Sequence, residues 1–281
     1  MWAEGPDTLV AGALIPSGGA EVTAGGWRLT GAWSYISGVH VADWVLACAA
    51  VAGADADGPA QVRFFAVPRR DFAVEETWFP VGMRGTGSDT MVLTDVFVPE
   101  HRSFARAAVL AGDAPASDAR CHTVPMHAVG ALPFAAPLLG AVRGALRTWT
   151  ARTALRTDVR GRAVREVRSV QTTLARAAGE ADAAELLLLR TARVADGTET
   201  VPEGAAAVRG ARDTALAAEL LVAGVDRVFR AGGTSGQAET DPVQRFWRDV
   251  NTAATHVALD FESSGAAYGA WALSGREGEA R

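Results

Sequence analysis

The sequence predicts an α+β protein of two domains: an antiparallel β-barrel or sandwich over residues 1–105, followed by a four-helix bundle over residues 106–281. Three observations carry this. Before about residue 100, short runs of β-branched and aromatic residues alternate with Gly, Pro and Asp. After about residue 124, apolar residues recur every three or four positions. Between them Ala108–Thr123, with Gly112, Asp113, Pro115 and Asp118, has neither period and reads as a loop.

The expected strands are Trp27–Thr30, Trp44–Cys48, Val62–Val67 and Met91–Val98, with Pro99 ending the last. Turns fall at Pro16–Gly19, Gly25–Gly26 and Ala54–Gly58. Among the helices, Leu138, Val142, Leu146 and Trp149 share one face. Val167, Leu174, Ala178 and Ala181 make a second face, and Leu216, Leu220, Leu221, Val225 and Phe229 a third. A fourth helix starts after Asp241-Pro242, where Asp suits the N-cap and Pro the first turn. Thr198–Gly204 is an inter-helix turn, and Ser274–Arg281 is expected to fray.

Composition narrows the function. A net charge of −5 disfavours a nucleic-acid role. All positive side chains are arginine, which reflects base composition more than chemistry. Cys48 and Cys121 have no metal-type spacing, and His40, His101, His122 and His127 default to surface or loop positions. No basic leader precedes an apolar run, and the apolar runs fall short of the ~20 residues of a membrane span. A cytoplasmic protein without membrane contact is the expectation.

Three motifs carry the chemistry. The first is Gly31-Ala-Trp-Ser-Tyr-Ile-Ser-Gly38, running on to Ala42-Asp43-Trp44. The second is Gly82-Met-Arg-Gly-Thr-Gly-Ser88, and the third is Pro242-Val-Gln-Arg-Phe-Trp-Arg-Asp249, followed by His256. In this order they resemble the acyl-CoA dehydrogenase superfamily, and within it the flavin-dependent monooxygenase branch. The resemblance implies that Tyr35 packs on the flavin ring and that Ser37 reaches its N5 and C4 carbonyl region. It implies that Thr86 or Ser88 faces ligand. Arg84 anchors its loop or, as the plainer alternative, pairs with a carboxylate such as Asp95. At the dehydrogenase glutamate position stands Val257, so no carboxylate base is present there. The neighbouring His256 is then a candidate for deprotonating or hydrogen-bonding at the active site, or else a core histidine on an Ala-rich helix. Tyr35, Ser37 and His256 are expected to converge on one pocket.

Arg160 is the candidate for cofactor phosphate, with Arg156, Arg162 and Arg165 as rivals. Arg230, Gly232 and Ser235 lie in a Gly-rich turn resembling one that contacts a neighbouring subunit's flavin, though such a turn also serves as a C-cap. The implied cofactor is FMN or FAD, reduced by a separate reductase. The implied assembly is a homo-oligomer, and the substrate is an aromatic or polyketide-like small molecule. Relatives carry a helical domain before the first motif, which here begins close to Met1. The expectations are that the sequence is the later part of a longer gene product, that a second chain supplies that domain, or that the fold has been turned to another use. A flavin-free cyclase or isomerase and a non-catalytic partner subunit are the alternative functions.

Overall fold

A computed structural model describes residues 5–52, 61–113, 117, 119–201 and 204–274. The expected turn at 54–58 and the expected frayed end beyond Ser274 lie outside the described residues. The chain forms two compact units, Met1–Pro80 with Arg84–Ser117, and Val81–Met83 with Asp118–Arg281.

The first unit is a sheet of eight strands: β1 Val10–Gly12, β2 Gly19–Thr23, β3 Gly26–Ile36, β4 Trp44–Ala52, β5 Gln61–Pro68, β6 Ala73–Glu75, β7 Asp89–Pro99 and β8 Ser103–Ala105. Its path is β6-β7-β3-β2-β4-β5-β8, with β1 also on β4. The pairing is mixed: β1 and β2 both run parallel to β4, and the other pairs are antiparallel. Pro99 closes β7 as expected, but β8 follows it and pairs with β5. Leu29, Trp33, Ile36, Val45, Phe65, Val67, Met91 and Leu93 form the core. Each large side chain of this kind contributes about 1.5–3 kcal/mol on full burial. Trp33 also donates its indole N–H to the Cys48 carbonyl at 2.7 Å, so its polar edge is satisfied inside the core.

Trp33 and Ile36 are three residues apart, yet both are buried. In an unbroken strand they would face opposite sides. A register shift between them absorbs the extra residue and pushes Ser34 and Tyr35 outward. Tyr35 takes φ 64, a left-handed conformation costly for a non-glycine. This strain lies in the first motif.

The second unit is helical. Its principal helices are α4 Leu132–Leu155, α5 Arg168–Ala195, α6 Ala205–Ala231, α7 Pro242–Ala253 and α8 Phe261–Leu273. Short helices α2 Arg120–Thr123 and α3 Met126–Val129 precede them, and α1 Arg106–Ala111 belongs to the first unit. The expected loop at 108–123 is thus partly helical at both ends. The fifth long helix, α8, was hidden by Gly265, Gly269 and its alanines, which blur the apolar period. The core takes Leu138, Val142 and Trp149 from α4 as expected. On α5 the buried face is Ala177, Ala181, Ala184 and Leu188, one position off the expected Ala178. Asp241 caps α7 by accepting from the Val243 N–H at 2.8 Å and also binds Arg152 at 2.6 Å.

Met126–Leu155 is long and apolar enough to cross a membrane by length and composition, contrary to the expectation from run lengths. Its buried residues Ala135, Leu138, Val142, Ala145 and Trp149 belong to the bundle core.

Candidate functional site

In the first unit, the end of β3 and the segment before β7 meet through hydroxyl groups. Ser37 lies just past β3 and is exposed; Ser88, just before β7, is buried at 5 % exposure. Their oxygens are 2.9 Å apart, and Thr86 Oγ1 lies 2.7 Å from Ser88 Oγ. The Gly38 N–H donates to the Thr86 carbonyl at 2.8 Å, fixing the two loops together. Tyr35 (75 % exposed) packs its ring edge-to-face on Trp78 at 6.1 Å, and Phe79 nearby in sequence is 80 % exposed. Exposed aromatic surface beside a chain of hydroxyls suits a planar ring with a polar edge, as the flavin ring is.

Beneath this region sits a pair that sequence reasoning missed. His40 Nε2 lies 2.7 Å from Asp89 Oδ2, so His40 is not the bare surface residue expected. Asp89 Oδ1 accepts from the Thr77 and Trp78 N–H groups at 2.6 and 2.8 Å. The His40 bond, then the Thr77 N–H, hold the Asp89 carboxyl below the usual carboxylate range. The only sequence signal was an aspartate directly after the glycine-rich motif. Arg84 does not reach Asp95; it donates to the Pro80 carbonyl at 2.9 Å, while Asp95 is taken by Arg28 at 2.8 Å. Asp95 sits in the register shift of the β3–β7 pairing between Leu29 and Gly31, where the Arg28 side chain reaches it.

In the second unit, the second and third motifs interlock. Arg248 donates to the Val81 carbonyl at 2.6 Å, and Asp249 accepts from the Met83 N–H at 2.6 Å. Gly82 lies flat between them, where a Cβ would stand 2.2 Å from the Arg248 carbonyl oxygen. The glycine is required there, and Arg248-Asp249 acts as a clamp on the backbone.

His256 lies in neither a helix nor the core. α7 ends at Ala253, and His256 caps a 3₁₀ turn at Val257–Leu259. The ring stacks on Phe134 at 3.7 Å. Nδ1 accepts the Ala258 N–H at 3.1 Å. Partial burial lowers the imidazole pKa below its ordinary 6.5, which favours the neutral ring. With Nδ1 used as acceptor, the neutral ring carries its proton on Nε2. The outward nitrogen is therefore an N–H donor, which favours hydrogen bonding over the deprotonating role. Val257 is exposed beside it and offers no proton chemistry.

Arg160 stands at the tip of a turn built by Asp158, whose Oδ1 accepts from the Arg160 and Arg162 N–H groups at 2.8 and 2.9 Å. The Arg162 guanidinium binds Asp158 and Arg165 donates to the Ala154 carbonyl, while the Arg160 side chain is exposed with no partner among the described residues. Arg230 is exposed and loosely paired with Asp226 at 3.7 Å. Gly232 is the C-cap of α6, and Ser235 Oγ donates back to its carbonyl at 3.2 Å. Arg160 and its rival Arg156 are thus both exposed cations, and Arg230 is a loosely held one.

A cavity of about 820 Å³ in the first unit contains none of these residues. It is lined by Asp43, Trp44, Arg69 and Arg102 among others, and the three charged side chains already have protein partners. Arg102 lies over the Trp44 ring, and Asp43 accepts from the Leu9 N–H. The hydroxyl–aromatic surface has the better chemistry for a ligand.

Comparison with known proteins sharpens the reading. Residues 132–261 match the family described as acyl-CoA dehydrogenase, C-terminal domain. The chain is 31% identical over 280 residues to the oxygenase subunit HsaA, a flavin-dependent monooxygenase of Mycobacterium tuberculosis, covering 96% of this chain and 70% of that protein. It is 32% identical over 291 residues to the oxygenase component of an FADH(2)-dependent resorcinol hydroxylase of Rhizobium sp., covering 96% and 69%. Among solved structures, XiaF from Streptomyces sp. in complex with FADH2 and glycerol superposes with a TM-score of 0.85 at 32% identity, covering 95% of this chain and 69% of that one.

Proposed function

The chain belongs to the flavin-dependent monooxygenases of the acyl-CoA dehydrogenase superfamily, and from that premise we propose that it hydroxylates an aromatic or polyketide-like small molecule. A separate flavin reductase is its partner in this reading. Flavin, when bound, supplies the electrons that activate dioxygen. The protein's task is to seat the ring, exclude water and steer the substrate oxygen.

In this assignment Tyr35 forms an apolar wall for the ring and Ser37 presents a hydroxyl to its polar edge. Arg160, with Arg230, Gly232 and Ser235 as further contacts, serves the phosphate of FMN or FAD. His256 donates its Nε2–H to the phenolic oxygen of the substrate and favours its ionised, electron-rich form. The single observation that carries this role is the Ala258 N–H on His256 Nδ1, which fixes the outward nitrogen as a donor. Exposed Leu186 and Leu189 on α5 support self-association of the helical unit. Residence in the cytoplasm completes the reading.

The test supplies reduced flavin, oxygen and candidate phenols, and follows gain of one oxygen by mass spectrometry. His256→Ala is expected to lower hydroxylation by about 10²–10³-fold, the usual cost of one preorganised donor. His256→Gln, which keeps an N–H donor but is no base, is expected to recover much of that loss. Equal loss in both variants would return His256 to the role of base. Turnover of an acyl-CoA with an electron acceptor would overturn the assignment.

A further inference from the structure

The three hydroxyls of Thr86, Ser88 and Ser37 contain a constraint that their separate bonds do not reveal. Each carries one proton. Ser88 is buried, and among the described residues its oxygen has two hydrogen-bond neighbours, Ser37 at 2.9 Å and Thr86 at 2.7 Å. A buried hydroxyl proton left without an acceptor is costly, so the Ser88 proton must point to one neighbour or the other. If it points to Ser37, the Ser37 proton is freed to point outward and Ser37 is a donor to ligand. If it points to Thr86, the Ser37 proton turns inward to Ser88 and Ser37 offers ligand only lone pairs.

We propose that Thr86, Ser88 and Ser37 form a reversible hydroxyl wire, by which Ser37 meets an acceptor nitrogen in the oxidised flavin ring and an N–H donor in the reduced ring. This rests on the reading that Ser37 faces that polar edge. Ser88 and Thr86 are positioning residues and touch no reacting atom. Thr86 matters most to the inward setting, because only then must it accept the Ser88 proton. In the outward setting Ser88 donates to Ser37, and Thr86 only fills a Ser88 lone pair, whose loss costs less than an orphaned buried proton.

This asymmetry gives a directional test. Thr86→Val keeps the shape but removes the inward acceptor. Binding of oxidised and reduced flavin is measured separately, the first by fluorescence quenching and the second by anaerobic titration. Thr86→Val is expected to weaken reduced flavin by about threefold to tenfold, the size of one neutral hydrogen bond, and to leave oxidised flavin within twofold. In a Ser88→Ala background, where the wire is already cut, Thr86→Val is expected to change neither. An equal loss for both forms, no change in either form, or the same selective loss in the Ser88→Ala background would each overturn the wire. Thermal denaturation of each variant identifies a misfolded protein. In that case Thr86→Ala replaces Thr86→Val with the same expectation. Failure of the unaltered chain to bind either form would instead remove the flavin assignment, and the wire with it.

Discussion

Asp89 and Asp213 are both nearly inaccessible, at 6 % and 2 % exposure, and each lies inside its own unit, yet they are satisfied in opposite ways. Asp213, in α6, is held by Arg190 and Arg212, with the two Nε atoms at 2.9 and 3.0 Å, and Arg212 also lies over the Tyr268 ring at 4.0 Å. Asp89 takes two backbone N–H groups and one histidine. The first arrangement is charge against charge and locks α5, α6 and α8 together. The second uses weaker groups to hold a loop end, Thr77–Trp78, beside the surface where Tyr35 and Ser37 stand exposed. Equal burial thus serves a rigid packing joint in one unit and the placing of an exposed aromatic loop in the other. Arg28–Asp95, an exposed pair of the same chemistry at 2.8 Å, is a third case with burial removed.

The largest effect is expected from Asp213→Ala, which leaves two arginines facing an empty acceptor. Breaking a buried pair costs about 3–5 kcal/mol, and partial exposure of both arginines puts this case near the lower end. Urea denaturation reads it directly; a cost below about 1 kcal/mol would break the contrast with the exposed pair. Asp89→Ala is expected to keep the fold but weaken flavin by roughly tenfold, since the Thr77 and Trp78 N–H groups lose the one oxygen that accepts both. Asp89→Asn, which retains a carbonyl acceptor for them, should stay within about threefold. Flavin titration beside a melting curve separates binding from stability.

Acid sharpens the same point. The folded-state pKa of Asp89 is depressed below its ordinary 3.8, first by the His40 bond and then by the Thr77 N–H. Its stabilisation is therefore complete above pH 3.8 and fades as pH falls through the lower folded value. Tryptophan emission from Trp78 is expected to change only below pH 3.8, and Asp89→Asn to remove that step. The smallest effect is expected from Arg28→Ala, at no more than about 1 kcal/mol and reduced by salt. A loss as large as that of Asp213→Ala would show that burial does not separate these pairs.

Much of the architecture is legible in the sequence. The switch of period near residue 124, the Asp241-Pro242 helix start and the three motifs follow from local chemistry, because turns, caps and amphipathic faces are written within a few residues of where they act. Val257 and His256 could be placed by counting from Arg248-Asp249, but not the end of α7 before them, nor the Ala258 N–H that sets the imidazole tautomer.

What the sequence determined by itself is the class of element and the inventory of groups: a β unit, a helical unit, a missing carboxylate at Val257, a hydroxyl at Ser37. What only the tertiary structure decided is which distant groups share a proton. Ser37 and Ser88 are 51 residues apart, His40 and Asp89 49, and Arg28 and Asp95 67, and each pair is set by strand register and loop closure. The physical reason is that a hydrogen bond depends on a few tenths of an ångström and on direction. Residue type and spacing along the chain carry neither until the sheet has closed.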